Sequence, residues 1–325
     1  WRTDMKLTKS LIAATALSAL SFGAVAETNW NMATPYSEAE FHTKNIQQFV
    51  ADVNKMAEGD LKITVHSASS LFKHPEIPRA VRTGQVEIGE TLMANLSNQN
   101  PIFQVDAIPF LVSGYESAQK LWQGQRPFVE KYLADNGMRL IYAIPWPGQG
   151  FYTKNEIKTI ADMEGVKFRT YNSSTEKMAT LMKAVPTTVE AVEIPQAFTA
   201  GIVDAMVTSA ATGVTYEAWT FADYYYDLQA WMPKNMIYVN ERAFKRLSPK
   251  AQQALIDAGK AAETRGWQMS QDVFNNTTNV IKEKMQYRQA SAELSKALAQ
   301  IGDVMSVSWA EAVGPDAEKI LAPLR

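Results

Sequence analysis

DMEGVKFRTYNSS, residues 162–174, and PTTVEAVEIPQAFTAGIVDAMVTS, residues 186–209, decide how this chain is read. In the first stretch, Val166 to Phe168 alternate apolar and polar residues as a strand does. The strand leads into Arg169 and then into small hydroxyl and amide side chains: Thr170, Asn172, Ser173 and Ser174. In the second, IVDAMVTS, residues 202–209, reads as another strand ending on Thr208 and Ser209. Two strand exits of this kind can converge on an anion. A guanidinium fork matches a planar carboxylate and stays charged when a cleft closes over it. The helix start after Arg169 adds N–H groups that favour an anion. The plainer alternative is a surface arginine paired with Glu164 or Asp162.

Working outward, strands and helices alternate. Residues 29–34 (NWNMAT) read as a strand. A helix through FHTKNIQQFVADVNKMA follows, stopped at Gly59. LKITVHSA alternates with period two, HPEIPRAVRTG reads as a short helix stopped by Gly84, and Val86 to Gly89 as a buried strand. A helix is predicted over 117–135 and a strand over 138–146. A second unit starts near Gly148, with strands at FYTK, VKFRTY, TTVEAV and IVDAMVTS. Its helices are SSTEKMATLMKAV, capped by Ser173 or Ser174, and IPQAFTAG. KNMIYVN then returns as a strand to the first unit, and helices fill the chain beyond Glu241, with a break at Ser248-Pro249. The pattern predicts an α/β chain with mostly parallel sheets, folded as a two-lobed clamshell with a cleft between lobes and long C-terminal helices. The expected boundaries are 27–147 plus 236–275 for one lobe and 148–235 plus 276–325 for the other.

Composition narrows the function. The chain has 325 residues, no cysteine and a formal net charge of −2. Disulfides, thiolate catalysis and sulfur-bound metals are excluded, and no basic block suggests nucleic acid. Residues 5–26 read as a secretory signal. Met5 is followed by Lys6 and Lys9, then the apolar LIAATALSALSFGAVA and a small-x-small cleavage site at Ala24-Val25-Ala26. Trp1 to Asp4 precede that methionine and read as a translation scar. No later run approaches the roughly 18 apolar residues of a membrane span, so the processed chain is not expected to cross a membrane. Gly-x-Ser-x-Gly, His-Glu-x-x-His and Gly-rich dinucleotide motifs are lacking. Glu190 and Glu193 have the look of paired glycosidase carboxylates, the basis of a minor alternative, an exported carbohydrate-active enzyme. At a strand–helix junction their plainer reading is solvent and loop. His42, His66 and His74 form no metal signature, and no cofactor is expected.

Together, the signal, HSASSLFKHPEIPRAVRTGQVEIG, the Gly-x-Lys-x-Arg block, the Ala-x-x-x-Gly-x-Val-Asp-Ala block and the long helices after Leu247 resemble the DctP-type extracytoplasmic receptors of TRAP transporters. The resemblance covers essentially the whole chain after the signal. It implies a periplasmic receptor that binds a small carboxylate and docks on TRAP membrane permease subunits, and it puts the family's carboxylate-binding arginine at Arg169. It also implies polar contact from Ser209 beside Thr208, where the family often has asparagine, and from Ser173, and a wall at Val192 or its neighbour. Many members carry a second arginine where WPGQGFYTK places Gln149 or Gly150. That departure speaks against dicarboxylates and sialic acids.

The remaining candidates follow from strand ends, which face the cleft in open parallel sheets. They are Tyr36 after the first strand, His66, Ser69 and Ser70 after the second, and Thr91 and Asn95 after the third. Trp146, Phe151, Tyr171, Trp219 and Trp231 offer aromatic surface, about half of it core. One cation with aromatic walls suits a monocarboxylate. An aromatic 2-hydroxy or 2-keto acid leads, ahead of an aliphatic keto or hydroxy acid, a C4-dicarboxylate or a sugar acid.

Overall fold

A computed structural model describes Trp1 and residues 27–325. The secretory signal expected over 5–26 lies outside the described residues.

The first sheet is built from β1 (Thr28–Ala33), β2 (Leu61–His66), β3 (Ile88–Leu92) and β4 (Met138–Pro145), and the second from β5 (Gln149–Thr153), β6 (Lys167–Thr170), β7 (Val185–Thr188), β8 (Ala205–Ser209) and β9 (Tyr224–Tyr226). Two late strands complete them. β10 (Lys234–Asn240) returns to the first sheet, giving the order β2-β1-β3-β10-β4, and β11 (Gln286–Arg288) joins the second, giving β11-β9-β5-β8-β6-β7. Both sheets are mixed rather than mostly parallel. β10 runs antiparallel to both neighbours, and β5 is antiparallel to β8 and β9. The cause is the crossing itself. A strand that re-enters a sheet from the other lobe enters from the opposite end.

The helices follow their apolar spacing. α1 (Phe41–Met56) buries Phe41, Ile46, Phe49, Val50 and Val53, one stripe at helical period. α2 (Ile77–Thr83) stops at Gly84, whose φ of 74° is left-handed. α3 (Gly114–Asp135) starts three residues earlier than expected. α4 (Ser173–Leu181) is capped not by a serine but by Asn172, whose Oδ1 accepts from Thr175 N at 2.9 Å. α5 (Ile194–Thr199), α6 (Ala210–Thr215) and α7 (Glu241–Arg246) are short. α8 (Pro249–Lys284) is 36 residues long, about 54 Å at 1.5 Å per residue, and is capped by Ser248. It packs against α1 and β4 on the first-sheet side and against α6 and β11 on the other. Gly266 permits that approach, since a Cβ there would lie 2.5 Å from Ile144 Cγ2.

α9 (Ala292–Val313) and α10 (Asp316–Leu321) close the chain. Residues 276–325 therefore divide. β11 extends the second sheet, whereas α10 packs on α3 and Trp309 of α9 donates its indole N–H to Pro101 O at 2.8 Å. One core lies between the first sheet and α1 and α8, with Phe49, Ile88, Ile237 and Leu255, and another backs the second sheet with Phe198, Met206 and Tyr225. A larger core joins residues of both sheets, including Tyr238 and Phe168, to α9. The chain passes between the sheets at 146–148, at 227–233 and along α8. The first two passages are tied by Trp146 N to Pro233 O (2.8 Å) and Gln149 N to Trp231 O (3.0 Å).

Candidate functional site

The passages border a pocket of about 460 Å³ of empty space, lined by residues from both sheets. On the second-sheet side stands Arg169, at the end of β6 and paired in register with Thr187 and Met206. It is only 4% exposed. Its Nε donates to Val189 O at 2.9 Å, and the guanidinium carbon lies 4.8 Å from the Tyr171 ring centre. Among the described residues no carboxylate comes within 4.0 Å of it, and neither terminal nitrogen has a hydrogen-bond partner. The surface pairing considered from sequence does not form. Glu164 instead meets Lys183, and Asp162 accepts from the backbone of Lys158 and Thr159. Burial pulls the Arg169 pKa down, partly offset by Tyr171, Glu190, Tyr36 and Tyr216. Guanidinium remains charged nonetheless. A buried cation with two unanswered donors calls for an anion.

Gln149, Thr208 and Thr212 line the same side. Gln149 Nε2 donates to Pro147 O at 2.9 Å, leaving its carbonyl as an acceptor. At Gly150 a Cβ would sit 2.5 Å from Tyr226 O, so no side chain fits there without a shift of the backbone.

The first-sheet side is aromatic. Tyr36 and Trp146 meet edge to face with ring centres 5.1 Å apart, and Tyr36 and His74 at 5.6 Å. Trp146 Nε1 donates to Asn235 Oδ1 at 2.9 Å, and Asn235 Nδ2 donates to Glu90 Oε1 at 2.6 Å. Thr34 Oγ1 donates to the other Glu90 oxygen. Glu90 is fully buried, and burial pushes its carboxyl up to about 7. The wall facing the ligand space thus hangs on a polar network behind it.

Seven of the residues singled out from sequence line this pocket: Tyr36, Asn95, Trp146, Gln149, Arg169, Tyr171 and Thr208. The others lie elsewhere, each for a local reason. Successive strand residues face opposite ways, so Thr208 lines the pocket and Ser209 turns inward, where its Oγ accepts from Thr212 N at 3.2 Å and caps α6. For the same reason Leu92 lines it and Thr91 does not. Phe151 is core, packed on Phe168 at 5.4 Å, and Trp231 is core as well. His66 ends β2, the edge strand, and Ser70 follows it; His66 Nε2 is engaged with Asn31 Oδ1 at 2.8 Å. Ser173 opens α4 outside the lining. Val192 is 38% exposed, while its neighbour Ala191 lines the pocket.

Ala191 is the neighbour allowed for beside Val192, whereas sequence reasoning missed His74, Leu92, Thr212 and Pro233 as lining residues and placed Glu190 in solvent. Glu190, expected in solvent, has Arg169 among the charges acting on it. Its Oε2 lies 3.9 Å from His74 Nδ1. His74 Nε2 accepts the backbone N–H of Leu92 at 3.2 Å, and burial holds its pKa down to about 3. The clue to Glu190 was its place one residue after Val189, whose carbonyl Arg169 holds. No sequence signal marked His74 as buried.

The DctP family model, described as bacterial extracellular solute-binding protein, family 7, matches residues 32–312. Among solved structures the chain is similar to DctP7, a Bordetella pertussis extracytoplasmic solute receptor binding pyroglutamic acid. The identity is 42% over 91% of this chain and 99% of that one, with a TM-score of 0.89. DctP6 of the same organism, also a receptor binding pyroglutamic acid, is 40% identical over the same shares with a TM-score of 0.89. A marine-metagenome TRAP solute binding protein specific for pyroglutamate is 35% identical over 92% of this chain and 98% of its own, at TM-score 0.89. A curated solute-binding protein of Albidiferax ferrireducens is 24% identical over 184 residues, 55% of this chain, and the match spans about half of that relative's length, 53%.

Proposed function

The chain belongs to the DctP family of bacterial extracellular solute-binding proteins, and on that premise we propose that it is a periplasmic receptor, not an enzyme, that captures a small cyclic monocarboxylate of the pyroglutamate kind. The observation that carries this reading is Arg169, buried between the sheets with its terminal nitrogens uncommitted. Its fork takes the carboxylate, Thr208 and Gln149 border that anion, and Trp146, Tyr36 and Tyr171 pack on the ring. A single cation suits one carboxylate, in keeping with Gln149 where many members have arginine. Three relatives at 35–42% identity are described as binding pyroglutamate. The aromatic 2-hydroxy or 2-keto acid expected from the aromatic content loses support, because Phe151 and Trp231 are core rather than pocket.

In this reading, residues 27–147 with 234–275 form one lobe and 148–233 with 276–288 the other, while α9 touches both and α10 packs on α3 of the first. The ligand shifts the population toward the closed state, which then docks on TRAP permease subunits. Calorimetric titration with pyroglutamate, phenyllactate, succinate and glucuronate tests the assignment. Saturable one-to-one binding of pyroglutamate, tightest of the four, is expected. Tighter binding of phenyllactate or succinate would overturn it.

A further inference from the structure

Arg169 accounts for one end of a monocarboxylate. The pocket also contains a carboxylate, Glu190, which would repel an anionic ligand unless the ligand turned a donor toward it. Glu190 sits at the turn after β7, where its backbone N–H donates to Glu193 Oε2 at 3.3 Å, and its side chain is 30% exposed. Beside it is His74.

The protonation of His74 follows from its neighbours. A backbone N–H can only donate, so the Leu92 N–H at 3.2 Å requires a lone pair on Nε2. Asn95 Nδ2 approaches the same nitrogen at 3.3 Å. The imidazole is neutral, so its proton is on Nδ1. Nδ1 faces Glu190 Oε2 across 3.9 Å, too far for a hydrogen bond. The pocket therefore holds a donor and an acceptor side by side, neither answered by the other.

A cis amide is the complement of that pair. In a five-membered lactam the N–H and C=O lie on one edge, pointing the same way. In a 5-oxoproline skeleton the carboxylate, the N–H and the C=O follow along consecutive atoms. Arg169, Glu190 and His74 line one pocket, with Glu190 and His74 3.9 Å apart and Arg169 acting electrostatically on both. We infer that Glu190 and His74 form an amide-reading subsite, Glu190 accepting the lactam N–H and His74 Nδ1–H donating to the lactam carbonyl. This rests on the receptor reading above. It adds that selectivity among small cyclic acids is set by one N–H, and that Glu190 rejects ligands with an acceptor in that position.

The test compares pyroglutamate with its lactone isostere, 5-oxotetrahydrofuran-2-carboxylate, which keeps the carboxylate and the carbonyl and replaces N–H by oxygen. The intact chain should favour the lactam by on the order of 100-fold, since a lone pair then meets a carboxylate. Glu190→Ala should lower that ratio to about 10-fold or less, by weakening the lactam and strengthening the lactone. Glu190→Gln, whose amide oxygen still accepts, should keep more of the preference than alanine. A ratio is insensitive to general loosening, so a purely structural role for Glu190 would leave it unchanged. Equal binding of lactam and lactone by the intact chain, or an unchanged ratio in Glu190→Ala, overturns the subsite while leaving the receptor reading intact. Failure of the intact chain to bind pyroglutamate overturns both.

Discussion

Two buried cations in this molecule have opposite fates. Lys234, 0% exposed, donates from Nζ to Asp106 Oδ2 at 3.2 Å, and its backbone N–H meets the same oxygen at 2.9 Å. Arg169, almost as deeply buried, gives Nε to a carbonyl and has no carboxylate within ion-pair distance among the described residues. Burial lowers both pKa values, but the largest offset for Lys234 is the Asp106 carboxylate it pairs with, whereas for Arg169 it is Tyr171, followed by Glu190. A buried charge alone therefore does not mark a binding site. At Lys234 the protein supplies the anion and gains a fixed start for β10. At Arg169 it leaves that part to the ligand, and the cost of the unanswered charge falls on the empty form.

The sharpest way to break this contrast is to remove each cation. Lys234→Ala leaves Asp106 buried without its cation, keeping only the backbone N–H of residue 234, and should cost about 3–5 kcal/mol of stability. By thermal unfolding that is on the order of 10 °C for a chain of this size. Replacing both partners, Lys234→Met with Asp106→Leu, should recover much of the loss. Arg169→Ala should do the reverse, lowering affinity for the ligand by about 2–3 kcal/mol while leaving the melting temperature unchanged or slightly raised. Equal destabilisation by the two alanine substitutions would erase the distinction.

Asn235 supplies a smaller test, because it links the first-sheet wall to the interior. Its carbonyl accepts from Trp146 Nε1, and its amide donates to Glu90. Asn235→Ala leaves both groups without that partner, at about 1–3 kcal/mol of stability. Tryptophan fluorescence should report a loosened Trp146, and affinity should fall less than in Arg169→Ala. Unchanged Trp146 emission would mean that packing on Tyr36 and Phe41, not the hydrogen bond, holds the indole.

Much of this was legible in residue order. Phe41, Ile46, Phe49 and Val53 announce α1, and LKITVH alternates as β2 does, since local period reflects which side meets the core. Arg169 stood out because a strand leads to it and a helix begins after it. What stayed hidden was long-range. The antiparallel entry of β10 between β3 and β4 depends on a path from the other lobe, which no local pattern records. Strand parity at Thr91-Leu92 and Thr208-Ser209 depends on register, and a one-residue shift exchanges lining for core. His74 and Glu190 were hidden for another reason. Each lies at a turn that reads as solvent until the facing lobe is in place.

The smallest expected effect is a pH slope, and it separates the two walls again. On the first-sheet side, burial raises Glu40 from an ordinary 4.5 to about 8, with repulsion from Glu90 adding to it, and raises Glu90 to about 7. The folded chain then holds protons that the unfolded chain has released, so stability falls as pH rises from 4.5 through those values. The buried histidines act the other way. His74 is depressed from 6.5 to about 3 and His42 is also lowered, so both weaken the fold only as pH drops below 6.5. From about one unit above pH 6.5 the histidines are largely neutral in both states, and the raised carboxyls dominate the slope. Melting temperatures taken from about pH 7.5 to 8.5 should decline for the intact chain and decline less for Glu40→Gln. A rise over that interval would mean that Glu40 is ionised and compensated in the folded protein, making the first-sheet wall a charged one like that of Arg169.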